Sequence, residues 1–218
     1  MRVIAIDGPA GSGKSTVAKA LAERFDLEYL DTGAMYRSVT FAALRRGLDP
    51  GDAEIIGRLV GDVEIELHPD GVTVDGVDAT IEIRGPEVSR VVSIVAANPL
   101  VRSEMVRRQR AWVTKRDGGV LEGRDIGTVV FPDAELKVFL TADPEVRAQR
   151  RSQEVSDLDY ETVAADLARR DALDQGREVS PLAEADDAFL LDTSELGIEE
   201  SVALAIRLVG ERLGVVRS

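Results

Sequence analysis

The chain has no cysteine, and only one histidine, one tryptophan and one asparagine. The lack of cysteine excludes disulfides, thiolate zinc sites and thiol nucleophiles, and it agrees with a reducing cytoplasm. The lone histidine, His68, stands beside the turn Pro69-Asp70-Gly71 and reads as a surface loop residue rather than a tuned general base. The lone tryptophan, Trp112, lies in the helical stretch 101–115 with no second aromatic beside it. It reads as a packing residue, not a base-stacking platform. No apolar run approaches the roughly 20 residues needed to span a bilayer. The chain opens directly on a strand-like run, so no secretory leader is expected. A net charge of −13 gives no bulk attraction for nucleic acid or an anionic membrane, and neither is expected as a partner. What remains is a chain of 218 residues, 44% hydrophobic and 31% charged. Such a chain suits one α/β domain with a modest insertion.

The positive information begins at residue 8. Gly8, Pro9, Ala10, Gly11, Ser12, Gly13, Lys14 and Ser15 fill every fixed position of the pattern G-x-x-x-x-G-K-[ST]. Glycines let the backbone turn with its N–H groups converging on phosphate oxygens. Lys14 supplies a charge that reaches β- and γ-phosphates, the Ser15 hydroxyl can reach Mg²⁺, and the following helix points its positive end at the ligand. The context agrees: Val3-Ile4-Ala5-Ile6 reads as a buried strand, and 15–25 as a helix with Val17, Ala18, Leu21, Ala22 and Phe25 on one face. Gly8 to Ser15, with Thr16 after them, are the expected ATP-binding segment.

Further apolar runs at 28–30, 120–122, 137–140 and 188–191 alternate with helical stretches, which predicts a parallel sheet flanked by helices. Between them, 63–67, 72–74 and 79–83 alternate apolar and polar residues, separated by Pro69-Asp70-Gly71 and Asp75-Gly76. That pattern predicts a small antiparallel meander inserted into the α/β chain. The polar segment 151–160 reads either as a flap or as a solvated connection between helices.

A P-loop alone does not choose a reaction. Guanine recognition through N-K-x-D is all but excluded, since the single Asn98 is followed by Pro99. No long apolar strand ending in an acidic pair marks a mechanical ATPase. A small-molecule kinase needs a second anion site, and two segments after strands supply arginines: 31–37 with Arg37, and 122–128 with Arg124. Both segments should fall at the carboxyl edge of a parallel sheet, where ligands bind. The forked guanidinium suits a phosphate.

At this point the chain resembles the bacterial cytidylate kinases, P-loop nucleoside monophosphate kinases. The resemblance is carried by 6–15, by 30–37, by Arg107-Arg108-Gln109-Arg110, by 123–134 and by Arg169-Arg170-Asp171 through Leu182. It implies a three-layer α/β P-loop fold with a central parallel sheet and an antiparallel three-stranded insert. The core would be residues 1–61 and 89–218, the acceptor-binding insert 62–88, and a lid 151–162. Thr32, Arg37 and Arg124 would hold the acceptor phosphate. Ser93, Arg102 and Asp125 would bond the cytosine edge, whose N4 donor and N3/O2 acceptors match such a set. Arg170 and Asp174 would contact the sugar, and Arg177 would lie near the base. Arg147 and Arg151 would be lid arginines that swing onto the transferred phosphoryl group. With Lys14 and Arg124 they make the expected catalytic set, and Ser15 the expected metal contact.

The chain departs from the family pattern where Glu122 replaces a common aspartate and where Leu173 and Gln175 replace arginines seen in some members. The implied activity is in-line transfer of the ATP γ-phosphate to CMP or dCMP, with Mg²⁺, by a cytoplasmic monomer. The rival readings are a kinase for another small acceptor, such as another nucleotide or a sugar-like acid, and a nucleotide-binding regulator without turnover.

Overall fold

The computed structural model describes residues 1–154 and 159–214. In chain order the elements are β1 (Arg2–Asp7), α1 (Lys14–Arg24), β2 (Tyr29–Asp31), α2 (Thr32–Arg45), α3 (Ala53–Asp62), β3 (Ile65–His68), β4 (Gly71–Val74) and β5 (Val77–Asp78). There follow α4 (Pro86–Ala97), α5 (Pro99–Arg116), β6 (Gly118–Gly123), β7 (Leu136–Thr141), α6 (Pro144–Glu154), α7 (Tyr160–Gln175), β8 (Phe189–Asp192) and α8 (Ile198–Arg212). They form two compact units. The first comprises residues 1–31, 112–176 and 180–218, the second 32–111 and 177–179. The expected insert, 62–88, lies within the second.

The first unit is built on a parallel five-stranded sheet in the order β2-β6-β1-β7-β8. β1 and β6 carry apolar residues on both faces, as a strand covered on both sides must. Ile4, Ile6, Val120, Val138 and Leu140 pack under α1 and α8, against Leu21, Ala205 and Val209. Val3, Ala5 and Leu121, pointing the other way, are equally buried. A smaller cluster joins Ala10 of the P-loop to Ala148 of α6 and to Val163 and Leu167 of α7. The side chain of Asp159 caps α7, accepting from the Thr162 N–H at 2.8 Å. That bond satisfies one of the free N–H groups of the first turn.

The second unit holds an antiparallel sheet in the order β3-β4-β5. Val74 pairs with Val77 across Asp75-Gly76. Both turn residues have positive φ, 50° at Asp75 and 72° at Gly76. This is the two-residue turn that the sequence signalled. The third strand differs from expectation: it is Val77–Asp78, and 79–83 is not a strand but leads into a 3₁₀ turn at Glu82–Arg84. Asp78 causes the break. Its side chain accepts from both the N–H and the hydroxyl of Thr80, closing an Asx turn, while the Thr80 hydroxyl accepts from the Val72 N–H. Ile83 is then buried and Ile81 left 81% exposed, an asymmetry of a turn rather than a strand.

Of the expected lid, residues 151–154 continue α6 and 160–162 begin α7; residues 155–158 lie outside the described residues. Trp112 packs against Gly119, where an added Cβ would lie 2.5 Å from its ring, and His68 is exposed near Glu66. Among the described residues no helix is long and apolar enough to cross a membrane.

Candidate active site

The P-loop leaves the carboxyl end of β1, the central strand of the sheet. A Cβ on Gly8 would lie 2.0 Å from the Leu140 carbonyl oxygen. Only glycine therefore lets the loop cross β7 there. Gly13 caps α1 in the left-handed region at φ 92°. That conformation, easy for glycine, turns the chain into the helix. Ser12 Oγ donates to the Pro9 carbonyl at 3.0 Å, and Lys14 Nζ donates to the same oxygen at 2.6 Å. Lys14 is buried within the loop, and burial pulls its ammonium well below the usual lysine range. The Arg124 charge pulls the same way, against Glu122 and Asp7.

Asp7, the last residue of β1, accepts the Ile126 N–H at 2.8 Å and the Gly127 N–H at 2.7 Å. It thereby ties the P-loop strand to the π-helical turn Ile126–Val130 that follows Arg124 and Asp125. Burial raises its carboxyl to about 6; the two N–H groups oppose this and the nearby Asp125 adds to it. Asp125 is buried at the head of that turn.

Arg124 follows β6 and donates through Nε to Asp174 of α7 at 2.8 Å, with Asp174 almost wholly buried. Burial works against the Arg124 charge, and the Asp174 carboxylate more than offsets it. Arg170, one turn earlier on α7, is lowered to about 10, first by burial and then by the charge of Arg124, with Arg151 adding to the repulsion. Its Nε meets no hydrogen-bond partner among the described residues. Lys14, Arg124 and Arg170 lie within electrostatic reach of one another, as Arg170 and Arg151 do; Asp174, Asp171 and Glu122 counter the repulsion, and at Arg124 they outweigh it.

Arg147 behaves differently from its sequence-based assignment. Instead of reaching out as a lid arginine it is 7% exposed, donating to the Ala142 carbonyl at 3.0 Å, the Ala10 carbonyl at 3.1 Å and the Asp171 carboxylate. Asp171 in turn accepts from the Ala10 N–H at 3.4 Å. The pair grips the P-loop backbone. A guanidinium flanked by two carbonyls and a carboxylate is at its best as a fixed clamp.

Three acceptors of hard-cation type lie together at the other end of the loop. Glu122 on β6 accepts from the Tyr29 hydroxyl, and the Ser15 side chain lies beside both, with the Asp31 carboxylate near Glu122. Burial raises the Glu122 carboxyl, with Asp31 adding to the shift and Lys14 opposing it. A hydroxyl and a carboxylate are donors that suit Mg²⁺ when phosphates supply further oxygens.

The remaining sequence-predicted residues belong to the second unit. Thr32 is buried in the first turn of α2. Arg37, also on α2, donates through Nη1 to the Ile83 carbonyl and to Ser89 Oγ, both at 2.9 Å. Ser93 is buried on α4. Arg102 on α5 is 2% exposed, donates to the Ala96 carbonyl at 3.3 Å and holds its guanidinium over the Tyr36 ring, 5.6 Å from the ring centre. Arg177 is half-buried in the short segment 177–179. Sequence reasoning missed Asp7 and Tyr29, and it gave Asp171 no role. A carboxylate closing the strand just before the P-loop glycine was the only local signal for Asp7.

A parallel sheet with a P-loop at the end of its central strand, a buried lysine in the loop and guanidinium groups gathered near it define a P-loop nucleotide-binding fold of the phosphotransferase type. A crystal structure of TT1252 from Thermus thermophilus superposes with a TM-score of 0.52 at 20% identity, covering 100% of this chain and 98% of that one, a likeness of fold. Residues 4–211 match the cytidylate kinase family. The chain is 49% identical over 218 residues to the cytidylate kinase of Mycobacterium leprae (strain Br4923), covering 98% of each. It is 50% identical over 221 residues to that of Geobacillus kaustophilus (strain HTA426), covering 97% of each. The chain belongs to the cytidylate kinase family.

Proposed function

We propose that this chain is an ATP-dependent nucleoside monophosphate kinase that transfers the γ-phosphate of ATP to CMP or dCMP, giving the diphosphate and ADP. The observation that carries the reading is the P-loop at the end of β1, with Lys14 buried in it and the guanidinium groups of Arg124 and Arg170 close to that lysine. A polyphosphate complements such a group of cations. Transfer of this kind needs positioning and charge stabilisation more than covalent chemistry. The acceptor phosphate oxygen is already ionised at neutral pH and needs no strong base.

The roles follow. P-loop amides and Lys14 hold the donor phosphates. Ser15 and Glu122 would hold Mg²⁺, which when bound neutralises charge on the β- and γ-oxygens. Arg124, kept in place by Asp174, serves the acceptor phosphate together with Thr32 and Arg37. Asp125, Ser93 and Arg102 read the base, Arg170 and Asp174 the sugar, and Arg177 lies near the base. Arg151 is the lid arginine, and Arg147 acts by clamping Ala10. A monomer in a reducing cytoplasm, with neither nucleic acid nor membrane as partner, completes the proposal. A chain without cysteine and a net charge of −13 support it.

The test is a coupled assay of ADP release against a panel of acceptors. CMP and dCMP should be preferred. Preference for adenylate, guanylate or shikimate would overturn the acceptor assignment, and ATP binding without CMP-dependent ADP release would make the chain a nucleotide-binding regulator.

A further inference from the structure

Tyr29 pairs with Val120 and Asp31 with Glu122 in the β2–β6 ladder. Side chains two apart on a strand share a face, so Tyr29 and Glu122 stand on the same face of the sheet. It is the face that α1 covers: Val120 and Tyr29 pack with Leu21, Ala22 and Val17. The Tyr29 hydroxyl donates to Glu122 Oε1. The Lys19 ammonium of α1 lies 5.6 Å from the centre of the Tyr29 ring. A cation at that range is attracted to the ring face, so the phenol is itself held in place.

Glutamate carries one more rotatable bond than aspartate. A carboxylate on that longer stem has more directions to choose from beside a bound nucleotide. A hydrogen bond to one of its oxygens fixes the plane of the group, in the way outer groups orient those that face a metal. The backbone already joins β2 to β6, so the phenol hydroxyl is not needed to pair the strands.

We propose that Tyr29 is a positioning residue for phosphoryl transfer, its hydroxyl orienting the Glu122 carboxylate toward the Mg²⁺ of the bound nucleotide. The inference rests on the reading of the chain as an Mg²⁺- and ATP-dependent kinase. Tyr29→Phe keeps the ring and its packing and removes only the donor. Calorimetric titration with a non-hydrolysable ATP analogue, with and without Mg²⁺, reads the effect without turnover. The gain in affinity conferred by Mg²⁺ should fall about tenfold in Tyr29→Phe, while metal-free binding stays put. In turnover, kcat should fall by a similar factor with KM for CMP unchanged. In a Glu122→Gln background, Tyr29→Phe should add nothing further. An unchanged Mg²⁺ gain, an equal loss in metal-free binding, or an undiminished effect in the Glu122→Gln background would each overturn the proposal. Wild-type protein with no Mg²⁺ gain or no CMP-dependent turnover would instead sink the functional reading, so the two failures are told apart.

Discussion

Asp7→Asn should gain on the wild-type protein in stability as pH rises from acid to neutral. The carboxyl sits almost wholly buried at the end of β1 and titrates at about 6, against an ordinary 3.8. A carboxyl raised on folding contributes stability that is complete below pH 3.8 and lost as pH rises through about 6. A gap of about two pH units corresponds to ~3 kcal/mol. For a chain of this size that amounts to roughly 6–12 °C in melting temperature. Asparagine cannot ionise, so it escapes this loss. The Ile126 and Gly127 N–H groups bond different oxygens of Asp7, and in asparagine one of those two positions becomes an NH2 that cannot accept. The orphaned N–H costs about 1–3 kcal/mol at every pH. The variant should therefore be the less stable protein near pH 4, and should recover most of ~3 kcal/mol against the wild type by about pH 7.5. Thermal unfolding across that range, with and without ATP, is the assay. A difference between the two proteins that stayed flat, or grew against the variant as pH rose, would refute the reasoning. The two backbone hydrogen bonds would then outweigh burial, and the carboxyl would titrate at or below 3.8 in the fold.

Asp171→Ala leaves the buried Arg147 guanidinium without its counter-charge, which costs ~3–5 kcal/mol, whereas Arg147→Met with Asp171→Leu should recover most of the loss in a urea melt. In that double variant ATP binding should remain weakened, because Ala10 has lost its clamp. Lys14→Ala should lower kcat by roughly 10²–10³ with a smaller effect on ATP affinity, measured by steady-state kinetics and calorimetry. Near-normal turnover would remove Lys14 from the chemistry. Arg102→Ala and Asp125→Ala should each raise KM for CMP well above any change in KM for ATP, by about 1–3 kcal/mol of lost binding; equal damage to both substrates would point to general unfolding.

Local signals carried much of this molecule. The five apolar runs all became strands of one parallel sheet, because a strand buried on both faces must be apolar throughout. Asp75-Gly76 marked its turn because few other pairs tolerate positive φ twice. The sequence reading failed where a side chain competes with the ladder, as Asp78 and Thr80 do in ending the meander. It also failed where the partner is far along the chain. Asp7 meets Ile126 across 119 residues, and Arg147 meets Asp171 across 24, spacings with no period to betray them. Arginines were the hardest to sort. Arg108 stands in one of the stretches that carry the family resemblance, yet it donates to the carbonyls of Val60 and Val63 at 2.8 Å each. It thereby closes the end of α3, where the last carbonyls lack helical partners. Arg147 and Arg124 look alike in sequence, and only their surroundings make one a clamp and the other a candidate ligand.

The ribosome delivers the strands in chain order, and the sheet orders them differently. β1 pairs with β6 and β7, which begin at residues 118 and 136. At ~5–20 residues per second the nascent chain waits several seconds or more with its first strand unpaired on both edges. Residues 32–111 make up nearly all of the second unit, so that unit is almost fully synthesised before β6 appears. The nucleotide loop, among the first parts to be made, thus leaves a strand whose two neighbours come more than a hundred residues later. A slow stretch of translation between α5 and β7 would lengthen the exposure. Anything that shields the first seven residues meanwhile, a chaperone included, covers a strand with two unpaired edges.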